Sequence, residues 1–156
     1  MIFQRILNFY KISPAIPPKA EYSKAEMNRL KKLKWSFFLT ATFGYGLYYI
    51  CRLSLNVIKK PIIDTGLFSE TELGIIGSAL FFAYAAGKLF NGFMADRSNI
   101  KRFFATGLLV AALANLCLGF MHTFVFFAVL WGFSGWFQSM GAPSCIVGLT
   151  RWYDDS

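Results

Sequence analysis

No aspartate or glutamate occurs in residues 35–58, 73–94 or 103–150, the three long apolar regions of this chain. Any cation inside them lacks an acidic partner there. Histidine is nearly missing as well, with His122 alone. No carboxylate pair, nucleophile–base set or Gly-rich phosphate loop occurs, which argues against an enzyme. Three cysteines, Cys51, Cys117 and Cys145, each lie within an apolar stretch. Their spacing fits neither a metal cluster nor a disulfide framework, so they read as small packing residues and no metal or cofactor is expected. Charge is scarce altogether. Charged residues make up 15% of the chain, against about 25% in an ordinary soluble domain.

What is abundant is apolar. Hydrophobic residues reach 56% and aromatics 19%, with 18 phenylalanines, more than a water-facing surface accommodates. They fall in long blocks rather than periodic stripes, and about 18 such residues as a helix cross a ~30 Å hydrocarbon core. The chain is expected to be an all-α membrane protein with four transmembrane helices. The first span is Trp35–Ile58, interrupted only by Arg52, and the second is Leu73–Met94, interrupted only by Lys88. Phe103 to Thr150 as one helix would be roughly 72 Å long at ~1.5 Å per residue. It must therefore fold back, and "GFMHTF" at 119–124 is the expected hinge, giving spans near Phe103–Met121 and Phe124–Thr150.

The net charge of +8 is not spread as a nucleic-acid-binding face. Half of the 16 basic residues precede the first span, beside Glu21 and Glu26 only. The loop "ADRSNIKR" is basic again, whereas residues 59–72 carry Asp64, Glu70 and Glu72 beside Lys59 and Lys60. Basic loops face the cytoplasm, so both ends of the chain are expected there, in an inner-membrane protein with the lipid bilayer as a partner. Residues 1–34 read as a cytoplasmic leader. Its opening "MIFQRILNFYKI" has the helical apolar spacing of an interfacial segment, not a cleaved signal. Residues 35–156 hold the spans.

A cation within a span is costly and usually faces a cavity or a partner. Arg52 has a bland explanation, in which its long side chain reaches the nearer interface. Against that, Tyr45, Tyr49 and Arg52 stand at i, i+4 and i+7 and share one helical face. Tyr84 and Lys88 repeat the pattern at i, i+4 in the second span. With no carboxylate in any span, an anion is the expected counter-charge, and a guanidinium fork suits phosphate or carboxylate. In the fourth span, Gly132, Gly135 and Gly141 with Ser134, Ser139 and Ala142 permit close helix approach. Pro143 is expected to bend it, Trp136 to pack, and Gln138 either to bond a neighbouring helix or to touch a ligand.

"GYGLYYICRLSLN", "AYAAGKLFNGFMADRSN" and "GWFQSMGAPSC" resemble, in order and spacing, the N-terminal half of the organophosphate:phosphate antiporters of the major facilitator superfamily. These include glycerol-3-phosphate and hexose-phosphate transporters and a transporter-like sensor of sugar phosphates. The similarity runs from about Trp35 to Tyr153. It implies a twelve-helix fold in two halves, of which this chain is an N-terminal fragment completed by the remaining helices. It also implies that Arg52 binds phosphate, with Tyr45, Tyr49, Tyr84, Lys88 and Gln138 lining the same pathway. Asp96, Arg97, Lys101 and Arg102 fall in the family's gating loop. The implied activity is exchange of an organic phosphate for inorganic phosphate. The alternative is a sugar-phosphate sensor that signals to a histidine kinase. Two departures bear on the substrate. "RLSLN" stands where many members have Arg-Lys followed by phenylalanine, and Ala142 stands where the glycerol-3-phosphate transporter has tryptophan.

Overall fold

The computed structural model describes residues 2–12 and 23–153. Among them there is no strand, and six helices follow one another: α1 Ile2–Phe9, α2 Lys24–Asp64, α3 Glu70–Asp96, α4 Ile100–Leu118, α5 Phe124–Gln138 and α6 Gly141–Tyr153. Among the described residues, three segments are long and apolar enough to cross a membrane: Glu70–Asp96, Ile100–Leu118 and Phe124–Tyr153. The 41-residue α2 is long enough, but its tyrosines and Arg52 hold its hydropathy below theirs.

Local chemistry sets the boundaries. α2 ends in a Schellman motif, with the Gly66 amide donating to the Ile63 carbonyl at 2.9 Å and that of Leu67 to Ile62 at 3.2 Å. Gly66 takes φ +69°, which an L side chain resists. Ser69 opens α3 with a capping box: its amide donates to Glu72 Oε2 at 2.8 Å, and its hydroxyl accepts from the Glu72 amide at 3.3 Å. Asn99 caps α4 by accepting from the Arg102 amide at 3.3 Å. The hairpin between α4 and α5 turns at residues 119–123, where "GFMHTF" places it.

One expectation is corrected and two are refined. Residues 59–72 are not one loop, because α2 continues through Lys59, Lys60 and Pro61 to Asp64, leaving a connection of residues 65–69. Lysine is a good helix former, and a charge does not stop a helix. For the same reason the leader's last stretch, Lys24–Lys34, is helical and continuous with the first span. In the fourth span the helix is interrupted at Ser139–Met140, ahead of Pro143. Proline has no amide for the carbonyl of Ser139, four residues earlier, and is tolerated in the first turn of α6.

Two apolar clusters lie at opposite ends of the bundle. One gathers Leu55, Phe68, Leu73, Ile76, Leu80, Leu118, Phe127 and Trp131; the other gathers Ala95, Ile100, Phe103 and Met140. Between them runs a buried polar layer of Asn91, Ser134, Gln138, Ser139 and Ser144. α3 and α5 make the most extensive contact, and it is close: a Cβ on Gly135 would come 2.6 Å from the Leu80 carbonyl oxygen. α2 leans on α4 and α6 through buried Tyr48, whose hydroxyl donates to the Phe104 carbonyl at 2.8 Å. Ser54 adds a hydrogen bond to Asn115 Oδ1 at 2.6 Å. Outward faces expose Phe82, Leu89, Phe93, Leu109, Leu116 and Val129, apolar patches that suit lipid or further helices rather than water.

Candidate functional site

The helical spacing that puts Tyr45, Tyr49 and Arg52 on one face of α2 turns that face toward α3 and α5. Arg52 is half-buried. Its guanidinium carbon lies 4.1 Å from the ring centroid of Tyr84 on α3 and 5.4 Å from that of Tyr49 on its own helix. Its Nε donates to Gln138 Oε1 on α5 at 3.4 Å. The side chain is thus turned inward across two helices rather than along α2 toward an interface. Gln138 is itself 1% exposed, and its Nε2 donates to Ser134 Oγ at 3.0 Å. Of the two expectations for Gln138, the bond to a neighbouring helix is present, made to Arg52 on α2.

Lys88, an exposed residue of α3, lies near the same ring, with Nζ 6.0 Å from the Tyr84 centroid. Counting residues along antiparallel helices separates the two cations by about two turns, yet one aromatic ring touches both. Tyr45 meets Tyr49 edge-on at 5.3 Å and extends the aromatic wall. Five of the six residues are therefore in direct contact with Arg52 or Tyr84, and Tyr45 is one step removed.

Chemically this is a cation site without a counter-ion. Cation–π contacts hold a charge in place for about 0.5–2 kcal/mol each without neutralising it. Among the described residues the two terminal guanidinium nitrogens of Arg52 make no hydrogen bond, so the edge that fits a phosphate or carboxylate fork is open. No carboxylate from any span can reach it.

The loop residues form a separate group. The carbonyls of Asp96 and Ser98 accept from Arg151 at 2.5 and 3.4 Å. Arg102 donates to the Phe9 carbonyl at 2.6 Å and lies 4.6 Å over the Phe9 ring. Tyr10 completes the junction, its carbonyl accepting from the Asn99 amide at 2.8 Å and its hydroxyl donating to Thr106 at 3.0 Å. The helix expected at the membrane interface is therefore docked on the α3–α4 loop. Arg97 and Lys101 are exposed. Sequence reasoning missed Arg151, whose acceptors are main-chain atoms that leave no trace in composition. It also missed the Ser134–Gln138 bond, which the i, i+4 spacing could have suggested. Trp136 packs as expected, stacked on Phe90 at 5.8 Å.

Apolar helices of spanning length, with a half-buried arginine held against two tyrosines between them, mark a multi-pass membrane protein. The sequence pattern of the Major Facilitator Superfamily matches residues 8–156, and the chain belongs to that superfamily. It is 38% identical over 144 residues to the probable hexose phosphate transport protein of Chlamydia pneumoniae, covering 90% of this chain and 32% of that protein. It is 38% identical over 133 residues to the glycerol-3-phosphate transporter of Haemophilus influenzae, covering 81% and 27%. With the membrane sensor protein UhpC of Salmonella typhimurium it shares 30% identity over 148 residues, covering 95% and 33%. These similarities agree with the antiporter resemblance carried by the motifs. The chain spans about a third of the length of these curated relatives. No solved structure matches it.

Proposed function

We propose that this chain forms part of a secondary transporter for phosphate esters, in which Arg52 is a direct ligand of the phosphoryl group. The observation that carries the reading is the Arg52 guanidinium, held by Tyr84, Tyr49 and Gln138 with its outer edge open and no acidic residue in any span. A doubly charged phosphoryl group fits two cations sharing one aromatic wall, and Lys88 supplies the second. Transport needs a second helical repeat to alternate access, so the activity is that of the full-length protein. Inorganic phosphate, sharing the same headgroup, is the exchanged partner. Both ends of this segment face the cytoplasm, and the Asp96–Arg102 loop, clasped by Arg151, steadies one gate state. The role is translocation, not catalysis. Names of similar proteins that contain hexose phosphate and glycerol-3-phosphate support the substrate class.

The test is reconstitution of the full-length protein into vesicles preloaded with inorganic phosphate. Saturable uptake of a hexose phosphate or glycerol 3-phosphate, abolished when internal phosphate is omitted, is expected. Uptake of the unphosphorylated solute at the same rate would remove the phosphoryl group from the argument. Similarity to a membrane sensor supports a second reading, in which the same site reports sugar phosphate to a kinase. Binding without flux, together with a neighbouring histidine-kinase gene, would favour it.

A further inference from the structure

A side-chain amide is costly to bury unless its hydrogen bonds are met, yet Asn91 is 1% exposed in the middle of the α3–α5 interface. Its Nδ2 donates to Ser139 Oγ at 2.6 Å and to the Trp136 carbonyl at 3.2 Å. Both acceptors belong to the interrupted turn of the fourth span. In an unbroken helix the Trp136 carbonyl accepts the amide four residues on. Here that amide, Met140 N, donates instead to Phe137 at 3.2 Å. The Trp136 carbonyl is satisfied by the Ser139 amide at 3.2 Å, by Ser139 Oγ at 2.7 Å and by Asn91 from across the interface.

Gly87, one turn before Asn91, allows this approach. A Cβ there would come 2.5 Å from Ser139 Oγ and 3.2 Å from the Trp136 carbonyl oxygen. α3 therefore meets the break in one register. That register fixes two things at once. On α3 it sets the position of Tyr84 and Lys88, seven and three residues before Asn91. On α5 it sets Gln138, which directly precedes the broken turn and bonds Arg52.

From this arrangement we infer that Asn91 is a positioning residue for the candidate anion site. By stapling α3 to the interrupted turn, it holds Lys88 and Tyr84 in register with Gln138 and so sets how Arg52 is presented. The inference rests on reading the Arg52 cluster as a phosphate site, and its test separates the two. In the full-length protein, binding of inorganic phosphate is measured for the parent, Asn91→Leu, Gln138→Ala and the double variant. Each single change is expected to weaken binding about three- to tenfold. The double variant should be no weaker than the worse single, because both act through the aim of Arg52, although Asn91 and Gln138 are not hydrogen-bonded to each other. Additive losses, or unchanged affinity in Asn91→Leu, overturn the inference. Ser139→Ala paired with Gln138→Ala repeats the cycle should Asn91→Leu not fold.

A second readout is independent of phosphate. Spin labels at the exposed Thr71 and Val125, near the starts of α3 and α5, should give a narrow distance distribution in the parent. In Asn91→Leu the distribution should broaden, and an unchanged distribution refutes the register role. A parent that binds no phosphate while the variant still broadens would discard the site and keep the staple.

Discussion

Arg52 and the pair Arg102 and Arg151 have the same side chain in two settings. At the α3–α4 loop, both arginines direct guanidinium edges at main-chain carbonyls: Phe9 for Arg102, and Asp96 and Ser98 for Arg151. Each bond joins segments distant in sequence, so these side chains act as clasps. In the middle of the bundle, Arg52 is held by the faces of Tyr84 and Tyr49 and by one amide oxygen. Rings grip a guanidinium from above and leave its edge open. What an arginine's edge meets thus separates a fastening from an edge left for the anion proposed above, whereas net charge treats the two alike.

The largest expected effect tests where the two settings lie relative to the membrane. Single cysteines at Thr65 and Lys101, both exposed, are introduced in the full-length protein after Cys51, Cys117 and Cys145 and any other native thiols are replaced. An impermeant thiol reagent on intact cells should label the Thr65 site and not the Lys101 site. Labelling in the opposite sense would invert the topology and put the clasped loop outside.

Next in size is Arg52→Lys, which keeps the charge and removes the fork. An ammonium cannot offer two parallel N–H donors to one phosphoryl group. Losing a charge-assisted hydrogen bond, about 1.5–3 kcal/mol, predicts phosphate affinity lower by roughly ten- to a hundredfold in a protein that still purifies folded. Affinity within about threefold of the parent would return Arg52 to the class of side chains that merely reach for an interface.

How much of this was legible beforehand follows the same division. Tyr45, Tyr49 and Arg52 at i, i+4 and i+7 could be read as one face, because helix periodicity is a property of sequence alone. The fold-back near residues 119–124 was legible too, because bilayer thickness limits an uncharged helix. The family resemblance puts Arg52, Tyr84 and Gln138 along one pathway, but spacing alone does not give their contact, since depth along antiparallel helices depends on where each one ends. α2 runs through Lys59 and Lys60, whose charges alone suggest a loop. The helix carrying Arg52 is also the one least like a lipid-spanning segment by hydropathy, since tyrosine and arginine, the chemistry of the site, lower it. Carbonyl acceptors of Arg151 and Arg102 belong to the backbone, and no side-chain pattern announces them.

The smallest expected effect sharpens the comparison from the loop side. Arg151→Ala removes two hydrogen bonds to carbonyls at the end of α3. Arg151 is exposed, so water replaces the lost donors at those carbonyls and the net loss per bond is at the low end of about 0.5–1.5 kcal/mol. In a large helical protein that corresponds to a melting temperature lower by about 2–4 °C. Neither bond touches Arg52, Tyr84 or Gln138, and the buried Asn91–Ser139 layer lies between the loop and that cluster. Phosphate affinity at equilibrium should therefore stay within about twofold of the parent, since distant sites without shared partners act independently. A steadying role in one gate state would appear in the exchange rate instead, because loosening the loop changes how often the pathway opens and not the fit of the anion. The decisive measurement pairs calorimetric phosphate binding with thermal unfolding on the same preparation. An affinity loss approaching that of Arg52→Lys would show that the clasp and the cation site are one cooperative unit, and the distinction between the two arginine settings would have to be given up.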